Sequence, residues 1–113
     1  MTNLRLTGGA LSGSRAFLYV KASEDVVIAQ RQQTLVDFAA ALGVRVLTVF
    51  VDLQRSESES TAVFGELLDA LWRNDGVLLL LGEPAQLAKE PAAQRACRAR
   101  INATAAQVLY AHG

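Results

Sequence analysis

Short apolar runs alternate along this chain with longer stretches in which apolar residues recur every three or four positions. The first run, 16–20 (AFLYV), has strand character. Ser23-Glu24-Asp25 follows and offers a cap and acidic first-turn residues for a helix. In that helix Ile28, Leu35, Phe38, Ala39 and Leu42 fall at helical spacing, and Gly43 is its stop. Residues 44–51 (VRVLTVFV) are β-branched and mostly apolar, the pattern of a strand covered on both faces. Residues 52–61 (DLQRSESEST) are polar and serine-rich, an exposed loop. Val63, Phe64, Leu67, Leu68 and Leu71 form a second helical stripe, broken by Asn74-Asp75-Gly76. The run 77–81 (VLLLL) suits a buried strand, and Gly82-Glu83-Pro84 a turn. Pro91, at a favoured first helical position, opens a third helix with Ala93, Cys97, Ile101 and Thr104 on one face. Residues 108–111 fit a final strand and the last turns of that helix equally well. Residues 1–14, with Gly8, Gly9 and Gly13, form a flexible N-terminal segment, leaving 15–113 as a single domain.

Strand and helix alternate three times. That order predicts an α/β fold of three layers: a mainly parallel sheet with helices on both faces, joined by right-handed crossovers. Chemistry in such sheets gathers beyond the carboxyl ends of the strands. The loops there are 21–25, 52–61 and 82–90.

Composition narrows the function classes. With 51% hydrophobic and 19% charged residues in 113, a core is affordable and global disorder excluded. Eleven basic residues balance eleven acidic ones, so a chain-wide basic footprint for nucleic acid is absent. The single Cys97 excludes an intramolecular disulfide and a multi-cysteine metal site, and a reducing cytoplasm is the expected compartment. No targeting signal is evident, and no apolar run approaches the ~20 residues that span a bilayer. No nucleotide-binding glycine fingerprint follows the first strand. No cofactor, metal or membrane partner is expected.

Three segments at the strand ends resemble the catalytic domain of serine recombinases, the resolvase/invertase family. Tyr19-Val20-Lys21-Ala22-Ser23 is similar to that family's Tyr-x-Arg-Val-Ser, with Gln32 at a familiar interval. Val49-Phe50-Val51-Asp52 leads into the serine-rich loop and then Leu67-Leu68-Asp69-Ala70-Leu71. Residues 77–89 stand where the family has an apolar strand followed by Asp-Arg-Leu-x-Arg. The likeness covers about residues 16–90. It implies a resolvase-like fold with strand one central and strands two and three on either side. It also implies a serine that attacks a DNA phosphodiester within a ring of arginines, which offset charge on the phosphate oxygens.

Carried over position by position, the nucleophile is Ser23. The arginine before it is Lys21, which keeps the charge and loses the planar fork. No arginine stands near Thr61 or Ala62, where one should follow the loop. The Asp-Arg pair becomes Ala85-Gln86, and the last arginine of that motif becomes Lys89. Removing one preorganised electrostatic group commonly costs about 10²–10³ in rate, or roughly 2.7–4 kcal/mol. The family's dimerisation helix and helix-turn-helix domain have no counterpart in these residues, so sequence-specific DNA binding is not expected of them.

Each singled-out residue also has an ordinary reading. Ser23 stands where a helix N-cap belongs. Lys21 and Lys89 fit solvated surface lysines, and Arg95, Arg98 and Arg100 a solvated helix face. Cys97 fits a small buried hydrophobe, His112 a frayed end, and Trp72 a core edge or a dimer contact. Arg15, Arg55 and Arg73 are the arginines considered as replacements for those missing. The leading expectation is a non-catalytic recombinase-like domain acting through a protein partner or self-association, binding DNA weakly if at all. A second is a divergent recombinase or phosphodiester-cleaving enzyme that uses Ser23 with Lys21 and Lys89. A third is an unrelated doubly wound signalling or ligand-binding module, which strand order would separate.

Overall fold

The computed structural model describes residues 13–54 and 62–112. Within them the order is β1 (Arg15–Ala22), α1 (Asp25–Leu42), β2 (Arg45–Leu53), α2 (Ala62–Arg73), β3 (Leu78–Leu81), a 3-10 turn (Pro84–Gln86), α3 (Pro91–Ala103) and β4 (Gln107–Tyr110). The segment 108–111, open between strand and helix, is therefore mostly strand. Residues 1–12 of the expected flexible lead-in, and 55–61 of the serine-rich loop, lie outside the described residues.

Every strand pair is parallel and the spatial order is β2-β1-β3-β4. β1 thus has β2 on one side and β3 on the other, as the resemblance implied. The alternation of side chains along β1 divides the core. Ala16, Leu18 and Val20 face one way, with Leu78 and Leu80, against Ile28, Leu35, Ala39 and Leu42 of α1. Phe17 and Tyr19 face the other way, with Leu79 and Leu81, against Phe64, Leu67, Leu68 and Leu71 of α2 and Ile101 of α3. The result is the expected three-layer α/β arrangement. Each expected helical stripe is the face its helix buries, with Phe38, Val63 and Cys97 at its margins. Ala93 is the exception. It is exposed, because α3 meets the sheet mainly through its last turn, at Ile101 and Thr104.

Local chemistry sets the ends of the elements. α1 stops at Gly43, whose φ of 74° lets its N–H turn back to the Ala39 and Ala40 carbonyls. α3 starts on Pro91 and stops at buried Thr104, whose hydroxyl donates to the Ile101 carbonyl at 2.6 Å and accepts from Ala106 N–H. His112, expected to be frayed, donates its backbone N–H to the Gly82 carbonyl and extends the β3–β4 ladder.

Two expectations need correction. The run 44–51 is not covered on both faces. β2 is an edge strand in which Leu47 and Val51 are each 40% exposed. Leu47 is the unpaired residue of a bulge, because Ala16 is opposite Val46 while Phe17 is opposite Thr48. A β-branched apolar run shows strand propensity, but whether a neighbour covers it depends on strand order. β2 also extends through Asp52 and Leu53, residues the polar composition assigned to a loop. Their pairing with Lys21 and Ala22 of β1 keeps them in the ladder.

No helix among the described residues is long and apolar enough to cross a membrane. Leu80, fully buried on β3 between β1 and β4, tests the core. Leu80→Ala is expected to lower the unfolding free energy by about 2–5 kcal/mol. Urea denaturation followed by circular dichroism measures that loss directly.

Candidate functional site

The chain leaves β1 for α1 and β2 on one side, then returns to place β3 on the other side of β1. That reversal opens a crevice at the carboxyl ends of β1 and β3, where α/β sheets bind ligands. Here the crevice is deepened by unequal strand lengths. β1 pairs with β3 only at Ala16, Phe17 and Leu18, and then runs on to Ala22 beside β2. β3 instead ends at Leu81 and gives way to the 3-10 turn. Leu87, just beyond that turn, is buried in the core and pins the loop down.

The space between is an open groove of about 950 Å³. Lys21, Ala22 and Ser23 line it from the end of β1, and Val27 and Arg31 from α1. Gln54, Ala85, Gln86, Ala88, Lys89, Glu90 and Ala93 complete the wall. All three candidate site residues therefore border one groove. A second, smaller indentation of about 210 Å³ lies at the outer strand β4 among Arg98, Ile101, Asn102, Val108 and Tyr110. It contains none of the candidate site residues.

The N-cap reading of Ser23 does not hold. Glu24 is the N-cap, its side chain makes no capping bond, and Ser23 stands one residue upstream, exposed at the groove. The backbone turns into α1 one residue later than the Ser-Glu-Asp pattern suggested, so the hydroxyl is left without that structural task. Lys21 is not a solvated surface lysine either. It is half-buried, and its Nζ donates to the Leu87 carbonyl at 3.1 Å, bridging the gap between β1 and the loop after β3. Lys89 is exposed on the opposite wall.

The positions that resemble the family's Asp-Arg pair, Ala85 and Gln86, are both in the groove wall. A β-carbon placed at Gly82 would fall 2.5 Å from Gln86 Nε2, so this glycine makes room for the Gln86 amide. Of the arginines considered as replacements, Arg15 is at the far end of β1, bound to the Asp75 carbonyl, and Arg73 ends α2. Neither lines the groove. Arg55 is outside the described residues. Among the described residues, the guanidinium that does line it is Arg31, which sequence reasoning missed. It stands four residues after Val27, which also lines the groove, so one face of α1 carries both. That spacing was the available signal.

Behind the groove lies a buried polar pair. Tyr19 Oη donates to Asp52 Oδ2 at 2.6 Å, joining β1 to β2, and the Tyr19 ring packs edge-on against Phe64. Both residues carried the family resemblance, but nothing in the sequence paired them. Burial raises the Tyr19 pKa far above the ordinary tyrosine range, and the hydrogen bond and negative charge of Asp52 push it the same way. Among the described residues no buried side-chain polar atom lacks a partner, and no cluster of His, Cys, Asp and Glu suits a metal ion.

No protein-family model matches the chain, and no curated protein matches its sequence. Among solved structures, it is similar to the C-terminal catalytic domain of ISC1926 TnpA, an IS607-like serine recombinase. The TM-score is 0.66 over 88% of this chain and 70% of that one, at 14% sequence identity. That likeness establishes a recombinase catalytic-domain-like fold.

The Tyr19–Asp52 bond yields a test. Tyr19→Phe leaves a buried carboxylate without its donor and is expected to cost about 1–3 kcal/mol in urea denaturation at neutral pH. The pH dependence has a definite sign. Because the folded-state pKa is raised, the unfolded chain loses the Tyr19 proton first. The contribution is thus constant below the ordinary tyrosine value of about 10 and declines above it. Tyr19→Phe should make the alkaline decline in stability shallower.

Proposed function

We propose that this chain is a serine recombinase-like domain that does not cleave DNA and works by association with a second copy of itself. The observation that carries the first part is the pair Ala85 and Gln86 in the wall of the groove that Ser23 borders. In the family it resembles, an aspartate and an arginine stand there. A serine hydroxyl displaces a phosphodiester oxygen only where fixed charges meet the negative charge growing on the phosphate. Each such group commonly supplies about 10²–10³ in rate, and the losses here leave strand cleavage negligible even if they are only partly additive.

What supports association is apolar surface in an unusual place. β2 is nine residues long and forms an outer edge of the sheet, with Leu47 and Val51 in solvent. Its single exposed charge is Arg45, at its start. Long edge strands with few charges invite pairing, and an identical strand related by a two-fold axis offers the complementary row of N–H and C=O groups. Trp72, 60% exposed on α2, is a further large apolar side chain in solvent.

One observation favours a second reading, that of a divergent enzyme. Ser23 has no capping role and shares a groove with Lys21, Arg31 and Lys89. A single assay separates the two readings. The purified chain, incubated with supercoiled plasmid, is expected to leave it unnicked and to form no covalent protein–DNA adduct. An adduct lost in Ser23→Ala would overturn the non-cleaving reading in favour of the enzyme.

Association has its own measurement. Light scattering over a range of concentrations is expected to show mass rising from monomer toward dimer, with the rise suppressed in Val51→Lys. A monomer mass at every concentration would overturn self-association.

A further inference from the structure

We propose that Arg31 makes the groove a binding site for a phosphate-type oxyanion, replacing with one guanidinium from α1 the forks that the strand-end loops lack. The proposal deepens the reading of this groove given above, but depends on neither the absence of cleavage nor dimerisation.

The argument begins with charge. Among the described residues, Lys21, Arg31 and Lys89 line the groove with one carboxylate, Glu90. Lys21 and Arg31 are both half-buried, and among the described residues neither is paired with a carboxylate. Their hydrogen bonds go to neutral backbone carbonyls: Arg31 Nη1 to Lys21, and Lys21 Nζ to Leu87. Partly desolvated cations that line one groove gain most from an anion that enters it.

Donor geometry narrows the class of anion. A guanidinium has five N–H groups in a planar fork, and one bond to the Lys21 carbonyl leaves the others available. An ammonium has three donors, and Lys21 uses one on Leu87. A tetrahedral oxyanion accepts from several directions at once, which suits a fork on one wall and ammonium groups on the others. The exposed Ser23 hydroxyl lines the same groove and adds a neutral donor.

The bond from Arg31 to the Lys21 carbonyl has a second consequence. It ties α1 to the carboxyl end of β1, so the guanidinium is preorganised before any anion arrives. Arg95 of α3, exposed and outside the groove, is the natural control.

The test is a titration of the intact chain followed by backbone amide NMR shifts, with inorganic phosphate in one arm and a short thymidine oligonucleotide in the other. Saturable shifts are expected in residues 21–31 and 85–93 in at least one arm. Phosphate acting alone identifies a small-anion site, and the oligonucleotide acting alone a backbone phosphodiester site. Arg31→Gln should weaken binding about tenfold or more, the loss typical of a charge-assisted hydrogen bond, while Arg95→Gln leaves it unchanged. If Arg31→Gln fails to fold, Arg31→Lys decides: it keeps the charge and loses the fork, and weaker binding is expected. Absence of saturable shifts in both arms, or unchanged binding in the folded Arg31 variant, would overturn the proposal. Neither result bears on plasmid nicking or on oligomer mass, so the readings fail separately.

Discussion

β1 is the constraint on which the rest of the structure depends. From Ala16 to Val20 it is buried on both faces, and from Ala16 to Leu18 it is paired along both edges. A strand held in this way has no freedom in register, because a one-residue slip would exchange the α1-facing set for the set facing α2 and α3. Lys21, Ser23 and Tyr19 take their positions from that fixed register. Lys21 and Ser23 are carried past the end of β3, and Tyr19 is held where its hydroxyl meets Asp52.

The groove follows from the mismatch between β1 and its neighbours. β2 follows β1 to its end, whereas β3 leaves it after Leu18. The gap is spanned by polar contacts in place of ladder hydrogen bonds: Lys21 to Leu87 on one side, and Arg31 to Lys21 on the other. Backbone groups at the end of a strand need partners, and here cationic side chains supply them. One set of interactions thus satisfies the carbonyls and gathers positive charge at the site. The Tyr19–Asp52 bond completes the arrangement behind it, keeping a buried carboxylate paired near that charge.

A recombinase-like fold illustrates how a scaffold and its chemistry place different demands on a sequence. The scaffold requires apolar residues of suitable size at alternating positions, a condition many sequences meet. The chemistry requires particular donors at fixed places, and replacing an arginine fork by an ammonium changes what can be held. In this chain the first requirement is met throughout the sheet. The groove instead holds Lys21 from the end of a strand, Lys89 from a loop and Arg31 from a helix.

The sequence by itself determined the α/β class, the three helical faces and the strands 16–20 and 77–81, because periodicity reports which side of an element avoids water. It also named Ser23, Lys21 and Lys89, which prove to border one groove. Periodicity says nothing about which elements are neighbours, and the remaining features depend on that. Strand order made β2 an edge, although 44–51 has the composition of a buried strand. Sheet pairing kept Asp52 and Leu53 in a strand and drew 108–111 into another. A one-residue difference in where α1 begins removed the capping task from Ser23. The crossover of α1 over the sheet brought Arg31 to Lys21, ten residues away in sequence and 2.5 Å away in space. Only tertiary structure decides such contacts, because side chains from separate elements meet only once the core between them has set their spacing.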